Sequence, residues 1–408
     1  METSEEIIPQ RVDPEKKPRV DGETQGRRSP KSTSSSAVSR VLDDDDLLIE
    51  ILLRIDFPTT LVRAALVCKR WFHHVSDHAF LRSFRKLHPP RLLGFYINSW
   101  APRGTPHFVP MLPAHPAELA TVIHRAKSTF DKYKSDSTWT DVLDYRNGNV
   151  FIKHCEGRNV YAHGVHSLLC SERAMAVVPP FPWTELYNGN FDTCHKILST
   201  EAGDYLHVLV VCAADGNDEV HVHRLQNGVW CLHHKFSKER LPGPQFRPKF
   251  MHVDNKIYML AAHNDIIVLD LMASSFSTIQ LPQGLRHGYS NTALSPVDDG
   301  TGVYLIHVKQ LLLRIWLQNK GDWLLVETIY LPGMCKSLSI LDCNTSLQIK
   351  HVGDNAEFVF LEMGRWILYL DIKCRTLGKV YEIPSMDPWC SIGDIYPFMM
   401  IWPPCSLR

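Results

Sequence analysis

Residues 41–88, VLDDDDLLIEILLRIDFPTTLVRAALVCKRWFHHVSDHAFLRSFRKLH, combine a helical apolar pattern with a marked start and a marked stop. Leu48, Ile51, Leu52 and Ile55 fall at i, i+3, i+4 and i+7, which lines one helix face. The acidic run Asp43 to Asp46 stands ahead of them, where carboxylates suit the positive end of a helix. Phe57 and Pro58 are predicted to stop this helix, and Thr59 or Thr60 to cap a second whose apolar face is Leu61, Ala64, Ala65 and Cys68. Cys68, Trp71, Phe72 and Val75 continue the spacing into a third. Asp77 is placed to cap a last helix bearing Phe80, Leu81, Phe84 and Leu87, which Pro89 and Pro90 end.

Such a segment carries apolar side chains on more than one face of short helices. Modules near ~40 residues seldom bury enough surface to be stable alone. It therefore either docks on a partner or packs as an ordinary helical subdomain.

Upstream, residues 1–40 are rich in Glu, Lys, Arg, Pro and Ser, with almost no large apolar residue after Ile7 and Ile8. They are expected to be a disordered tail. Within it, Lys16-Lys17-Pro18-Arg19 and Arg27-Arg28 form two basic clusters compatible with a nuclear import signal or with a solvated tail. The opening Met-Glu-Thr-Ser-Glu-Glu is opposite in character to a signal peptide, and no apolar run approaches the ~20 residues of a membrane helix. The chain is thus expected to be soluble and intracellular. Lys plus Arg equals Asp plus Glu at 44 each, so no global charge argues for nucleic acid or a membrane surface as partner. Eleven cysteines without a C-x-x-C pair disfavour a disulfide framework and a zinc ribbon.

Downstream, residues 91–408 change to short apolar runs bounded by Gly, Asp, Asn and Pro, read as strands with one helix at 117–130. Candidate strands are 92–97, 150–153, 205–212, 220–225, 256–260, 266–271, 303–307, 311–317, 357–361 and 366–371. Three stretches repeat a pattern of a strand pair, then a third strand ending in an aliphatic residue and proline: KIYMLAAHNDIIVLDLMASSFSTIQLP, GVYLIHVKQLLLRIWLQNKGDWLLVETIYLP and EFVFLEMGRWILYLDIKCRTLGKVYEIP. Their closing prolines, Pro282, Pro332 and Pro384, recur at ~50 residues, and Val178-Pro179 lies about two periods upstream. One small sheet cannot bury its faces until neighbours stack around it, so this period predicts a propeller of six or seven blades.

Chemistry is harder to find. His163 and His166, His221 and His223, and Cys194 beside His195 lack further ligands at the spacing zinc requires, and read as structural or solvated histidines. No G-x-S-x-G, P-loop or dinucleotide fingerprint occurs. Trp139, Trp183, Trp230, Trp316, Trp323, Trp366, Trp389 and Trp402 are read as blade packing. No catalytic residue, metal site or cofactor is assigned.

The segments Leu47-Leu48-Ile49-Glu50-Ile51-Leu52-Leu53-Arg54-Ile55 and Leu61-Val62-Arg63-Ala64-Ala65-Leu66-Val67-Cys68-Lys69-Arg70-Trp71 together closely resemble an F-box. The opening departs from the family's Leu-Pro, having Leu42 followed by Asp43 and the acidic run. The resemblance implies docking on a Skp-type adaptor, and through it a cullin, by Leu47, Ile51, Leu52, Leu61, Val62, Ala65 and Leu66, with Trp71 closing a small core. The β half resembles a divergent kelch-like propeller. Pro90-Arg91-Leu92-Leu93-Gly94-Phe95-Tyr96 and Trp402-Pro403-Pro404 resemble a large group of grass F-box proteins. The resemblance makes this an α+β multidomain chain: tail 1–40, F-box 41–88 and propeller 91–408. It implies a substrate receptor of an SCF ubiquitin ligase, cytoplasmic or nuclear, holding an unidentified target while other subunits do the chemistry. A regulator bound to the adaptor outside the ligase, or an enzyme carried on a propeller, are the competing classes.

Overall fold

The computed structural model describes residues 34–400 apart from 56–57, 89–90, 100–104, 112–116, 135–137, 147, 156–160, 168–174, 182–191, 201–203, 213–215, 240–248, 261–264, 289, 298–301, 320, 341–345 and 385–391. The chain divides into two compact units, residues 1–80 and 81–408, and the division falls inside a helix.

The first unit is helical. It contains α1 (Ser34–Asp43), α2 (Asp45–Leu53), α3 (Pro58–Ala65), α4 (Lys69–Ser76) and the start of α5 (His78–Leu87). The expected tail falls outside the described residues up to 33, but 34–40 belong to α1. That helix persists because its last carbonyls, those of Leu42 and Asp43, are taken up by the Arg70 guanidinium at 2.6 and 2.7 Å. Asp44 caps α2, its Oδ1 accepting from the backbone N–H groups of Asp46 and Leu47, both at 3.0 Å. Arg54 ends α2, and Pro58 opens α3 instead of closing its predecessor, since a proline at the first helical position gives up only an N–H that has no partner there. Asp77 caps α5 as expected, accepting from Ala79 N and Phe80 N at 2.8 and 3.0 Å.

The second unit is a six-bladed propeller. Blade one is β3 (Trp139–Arg146), β4 (Asn149–Cys155), β5 (Tyr161–Ser167) and β6 (Ala176–Val178), after β1 (Leu92–Ser99), β2 (His107–Pro110) and α6 (Ala117–Ser128). Blade two holds β7 (Asp192–Ser199), β8 (Tyr205–Cys212), β9 (Asn217–Gln226) and β10 (Val229–Glu239). Blade three follows with β11 (Lys249–Val253), β12 (Lys256–Leu260), β13 (Asp265–Asp270) and β14 (Ser275–Gln280). Blade four is β15 (Thr292–Pro296), β16 (Val303–Lys309), β17 (Leu312–Asn319) and β18 (Asp322–Tyr330), trailed by α7 (Pro332–Ser337). Blade five is β19 (Leu347–Val352), β20 (Phe358–Met363), β21 (Trp366–Asp371) and β22 (Thr376–Glu382).

The ring is closed by the last strand. In the sixth blade β23 (Ile392–Met399) pairs with β1, and β1 with β2, all antiparallel. The first strands β3, β7, β11, β15, β19 and β23 touch one another in cyclic order, so β23 is the innermost strand of a blade whose other members come from the start of the domain. Tyr96 on β1 anchors this blade: its ring meets Phe108, Phe130, Tyr145 and Phe398, and its hydroxyl donates to Ala126 O at 3.1 Å.

The aliphatic-proline repeat has a mechanical origin. Leu331 N donates back to Leu311 O at 3.0 Å and Ile383 N to Arg365 O at 2.7 Å, while Leu281, Leu331 and Ile383 are buried. Leu331 and Ile383 lock the ends of their outer strands in this way, and the proline that follows cannot extend the ladder further. Asp270 and Asp371 hold the preceding turns, their carboxylates accepting from Met272 and Ala273 N and from Cys374 N.

Candidate adaptor-docking site

The spacing that makes α2 a helix also sorts its apolar residues. Leu48 and Leu52 face inward and are fully buried, as are Leu61, Ala65 and Val75 from the following helices. Leu47 and Ile51, one turn apart, keep 46% and 43% of their surface in solvent, Leu66 and Val67 after α3 keep 72% and 64%, and Phe72 on α4 keeps 37%. Val62 and Trp71 are half-buried.

The residues that the resemblance assigns to the adaptor therefore separate into two sets. Leu47, Ile51 and Leu66 are available to a partner, and Val62 partly so. Leu52, Leu61 and Ala65 are interior side chains of the unit itself, because the inward rows of α2 and α3 supply its small core. Trp71 closes that core only in part, while Cys68, read as part of an inward face, is exposed at the start of α4. Val67 is an exposed apolar residue that pattern reading does not select, and Phe72, read as part of the apolar spacing of α4, also stays in solvent. The signal for Val67 is its place just beyond α3, where helical spacing no longer assigns it an inward side.

The acidic opening is held by an ion cluster. Arg70 Nε donates to Asp45 Oδ1 at 2.8 Å, and His74 Nε2 lies 2.9 Å from the same oxygen. Arg70, ahead of His74, holds the Asp45 carboxyl below its ordinary range. Since Arg70 also takes the Leu42 and Asp43 carbonyls, one side chain on α4 ties the end of α1 to the first turn of α2. Here the departure from Leu-Pro has a structural use.

In the propeller, the histidine pairs are packing elements. His163 packs against Phe181 with ring centroids 4.3 Å apart and the planes tilted by 58°, Phe181 lies parallel to His207 at 4.2 Å, and His207 neighbours His195 and His223. His221 instead bonds Glu219 at 2.8 Å. Burial pushes the Cys194 thiol up to about 12, the reverse of an activated nucleophile. Among the described residues no group of three His, Cys, Asp or Glu is placed to hold a metal, and no helix is long and apolar enough to cross a membrane. Trp230 is buried and donates to Pro179 O at 3.0 Å, and Trp323 donates to Gln280 O at 2.7 Å. Trp183, Trp389, Trp402 and the two basic clusters lie outside the described residues.

A short helical unit with exposed aliphatic residues, followed by a closed six-bladed ring, is the architecture of an F-box protein with a propeller. Family comparison agrees: residues 45–86 match the F-box-like model, and residues 141–405 match the model described as F-box protein AT5G49610-like, beta-propeller. The chain belongs to that family of F-box proteins. A search of curated proteins returns no match. Among solved structures, a protein of unknown function from Bacteroides caccae aligns at 7% identity over 75% of this chain and 99% of its own, TM-score 0.40. A Lactobacillus plantarum protein aligns at 12% over 64% and 74%, TM-score 0.35, and apo AztD from Citrobacter koseri at 11% over 64% and 75%, TM-score 0.32.

Proposed function

We propose that this chain is the substrate-recognition subunit of an SCF-type ubiquitin ligase, a plant-type F-box protein with a kelch-like ring. Its helical unit binds a Skp-type adaptor, and through it a cullin, while the propeller holds a target protein. The observation that carries the reading is the set Leu47, Ile51, Leu66, Val67 and Phe72, left in solvent by the unit that matches the F-box. Large aliphatic side chains gain about 1.5–3 kcal/mol each on full burial, which an adaptor groove supplies. Such a chain works by proximity and needs no catalytic residue, cofactor, nucleic acid or membrane. It acts in the cytoplasm, the nucleus or both.

The test is copurification. Wild-type chain brings down adaptor and cullin together, and the triple variant Leu47→Ala, Ile51→Ala, Leu66→Ala loses both while its propeller stays folded by circular dichroism. Adaptor captured without cullin would instead make the chain a regulator outside the ligase.

A further inference from the structure

An open cleft of about 420 Å³ lies between blades three and four. Blade three supplies most of its lining, with Tyr258, Val268 and Ile279 the larger apolar contributors, and Gln318 of β17 lines it from blade four. Gln318 pairs with Trp323, whose indole N–H bonds Gln280 beside Ile279, so the two blades are tied together at the cleft.

Two carboxylates stand at the cleft, Asp254 in the β11–β12 turn and Asp270 at the end of β13. Asp254 has φ 51°, a left-handed conformation that Asp tolerates better than most residues, which fixes the turn that presents it. Asp270 is occupied: one oxygen receives the Met272 and Ala273 N–H groups, and the other lies 3.8 Å from Lys256 Nζ. Lys256 also lines the cleft but is turned to Asp270, so two carboxylates and one ammonium leave one net negative charge there, and Asp254 forms no ion pair among the described residues. Burial raises the Tyr258 hydroxyl pKa, and the nearby Asp254 and Asp270 add to the rise. Beside them Met272 is 77% exposed, an unbranched thioether free to adapt to what it meets.

A concave site with apolar lining, a net negative charge carried by Asp254 and an adaptable apolar residue beside it matches one kind of side-chain pair. We infer that this cleft is the target-recognition site, and that it takes a peptide segment in which an arginine or lysine adjoins a large apolar residue. The cation meets Asp254, its aliphatic stem lies along Tyr258, and the apolar neighbour packs on Met272. This deepens the receptor reading and rests on it.

The probe is a phage library of random ten-residue peptides, selected on the full-length chain bound to its adaptor. Enriched peptides are expected to carry Arg or Lys next to Leu, Met or Phe. A labelled selected peptide should bind at least tenfold more weakly to Asp254→Lys and to Met272→Asp, both surface changes that leave adaptor capture intact. Failure to enrich any peptide, enrichment without a cation, or binding indifferent to both substitutions overturns the cleft. The receptor reading is judged separately by trapping proteins on full-length chain in proteasome-inhibited cells. Targets trapped equally by wild type and Asp254→Lys overturn the cleft alone, whereas trapping of nothing beyond adaptor and cullin overturns both.

Discussion

On α2, Leu47 and Ile51 stand in solvent one turn apart, whereas on β20 of the propeller Phe358, Val359, Phe360 and Leu361 are all buried. The two regions use the same residue types under different constraints. A blade strand has neighbours on both faces, so consecutive apolar residues all find cover, and the ring closes through β23 without outside help. A lone α-helix in a unit of about 45 residues buries one stripe, and whatever apolar residue lies beside that stripe remains for another molecule. Self-sufficiency in one region and dependence in the other is a contrast that experiments can break.

The largest effect is expected at the closure. Deleting everything after Ile383 removes β23, and with it the inner strand of the sixth blade and the contacts of both β19 and β3. The β domain should lose its cooperative melt as a whole, because an open ring exposes strand edges on both sides of the gap. A truncated protein that keeps native circular dichroism and a sharp transition would show that the blades do not depend on closure.

Acid is the next largest probe, and it should act on the propeller more than on the helical unit. Burial holds His163 and His307 down at about 4 and His207 well below its ordinary value near 6.5. The folded ring thus keeps these imidazoles neutral, and the unfolded chain binds more protons below pH 6.5. Stability should fall from pH 6.5 to about 4, each unit of depression carrying about 1.4 kcal/mol. Chemical denaturation across that window measures the slope, and His207→Leu should flatten it; a flat wild-type profile would contradict neutral burial.

How much of this was readable beforehand differs strand by strand. The predicted strands map onto β1, β4, β8, β9, β12, β13, β16, β17, β20 and β21, the second and third members of their blades, or the second in the sixth. Every innermost strand was missed. Near the axis these strands must carry polar groups: Lys249 Nζ donates to Thr292 O and Ile349 O, Lys350 Nζ to Ile392 O, and Lys196 lies 3.8 Å from Asp394. A strand such as KFMHV or TALSP then shows no apolar run, although it holds the ring together. The ~50-residue period survived because the outer turns and closing prolines repeat, and it framed the count of six within the predicted six or seven. In the helical unit, spacing found the helices but could not tell Ile51 from Leu52, since both flank the same stripe and only packing decides which enters.

That ambiguity gives a third prediction. Leu52→Ala should destabilise the helical unit by about 2–5 kcal/mol, as a cavity in a small core does. Ile51→Ala should change its stability little, yet weaken adaptor binding by about 2 kcal/mol if Ile51 is a central anchor. Isothermal calorimetry on each, with melting curves of the unbound proteins, separates the two; equal loss of stability would erase the distinction between inward and outward rows.

The smallest effect concerns Arg70, which sits on α4 and spans both regions of the acidic opening. Its fork makes three separate bonds, to Leu42 O, Asp43 O and Asp45 Oδ1, and a lysine cannot reproduce that geometry with a point charge. Arg70→Lys should therefore fray the end of α1 and the first turn of α2 at a cost of about 0.2–1 kcal/mol, the range of exposed ion pairs. Asp45→Asn keeps both carbonyl contacts and should cost less. Because Arg70 holds the Asp45 carboxyl below its ordinary 3.8, the ionic part is present above that pH and lost as pH falls through the folded value, and salt should weaken it at neutral pH. Hydrogen exchange of the amides between Asp43 and Leu48 reads all three changes. Faster exchange in Arg70→Lys than in Asp45→Asn would assign the hold on α1 to the carbonyl contacts, and equal rates would assign it to the charge pair.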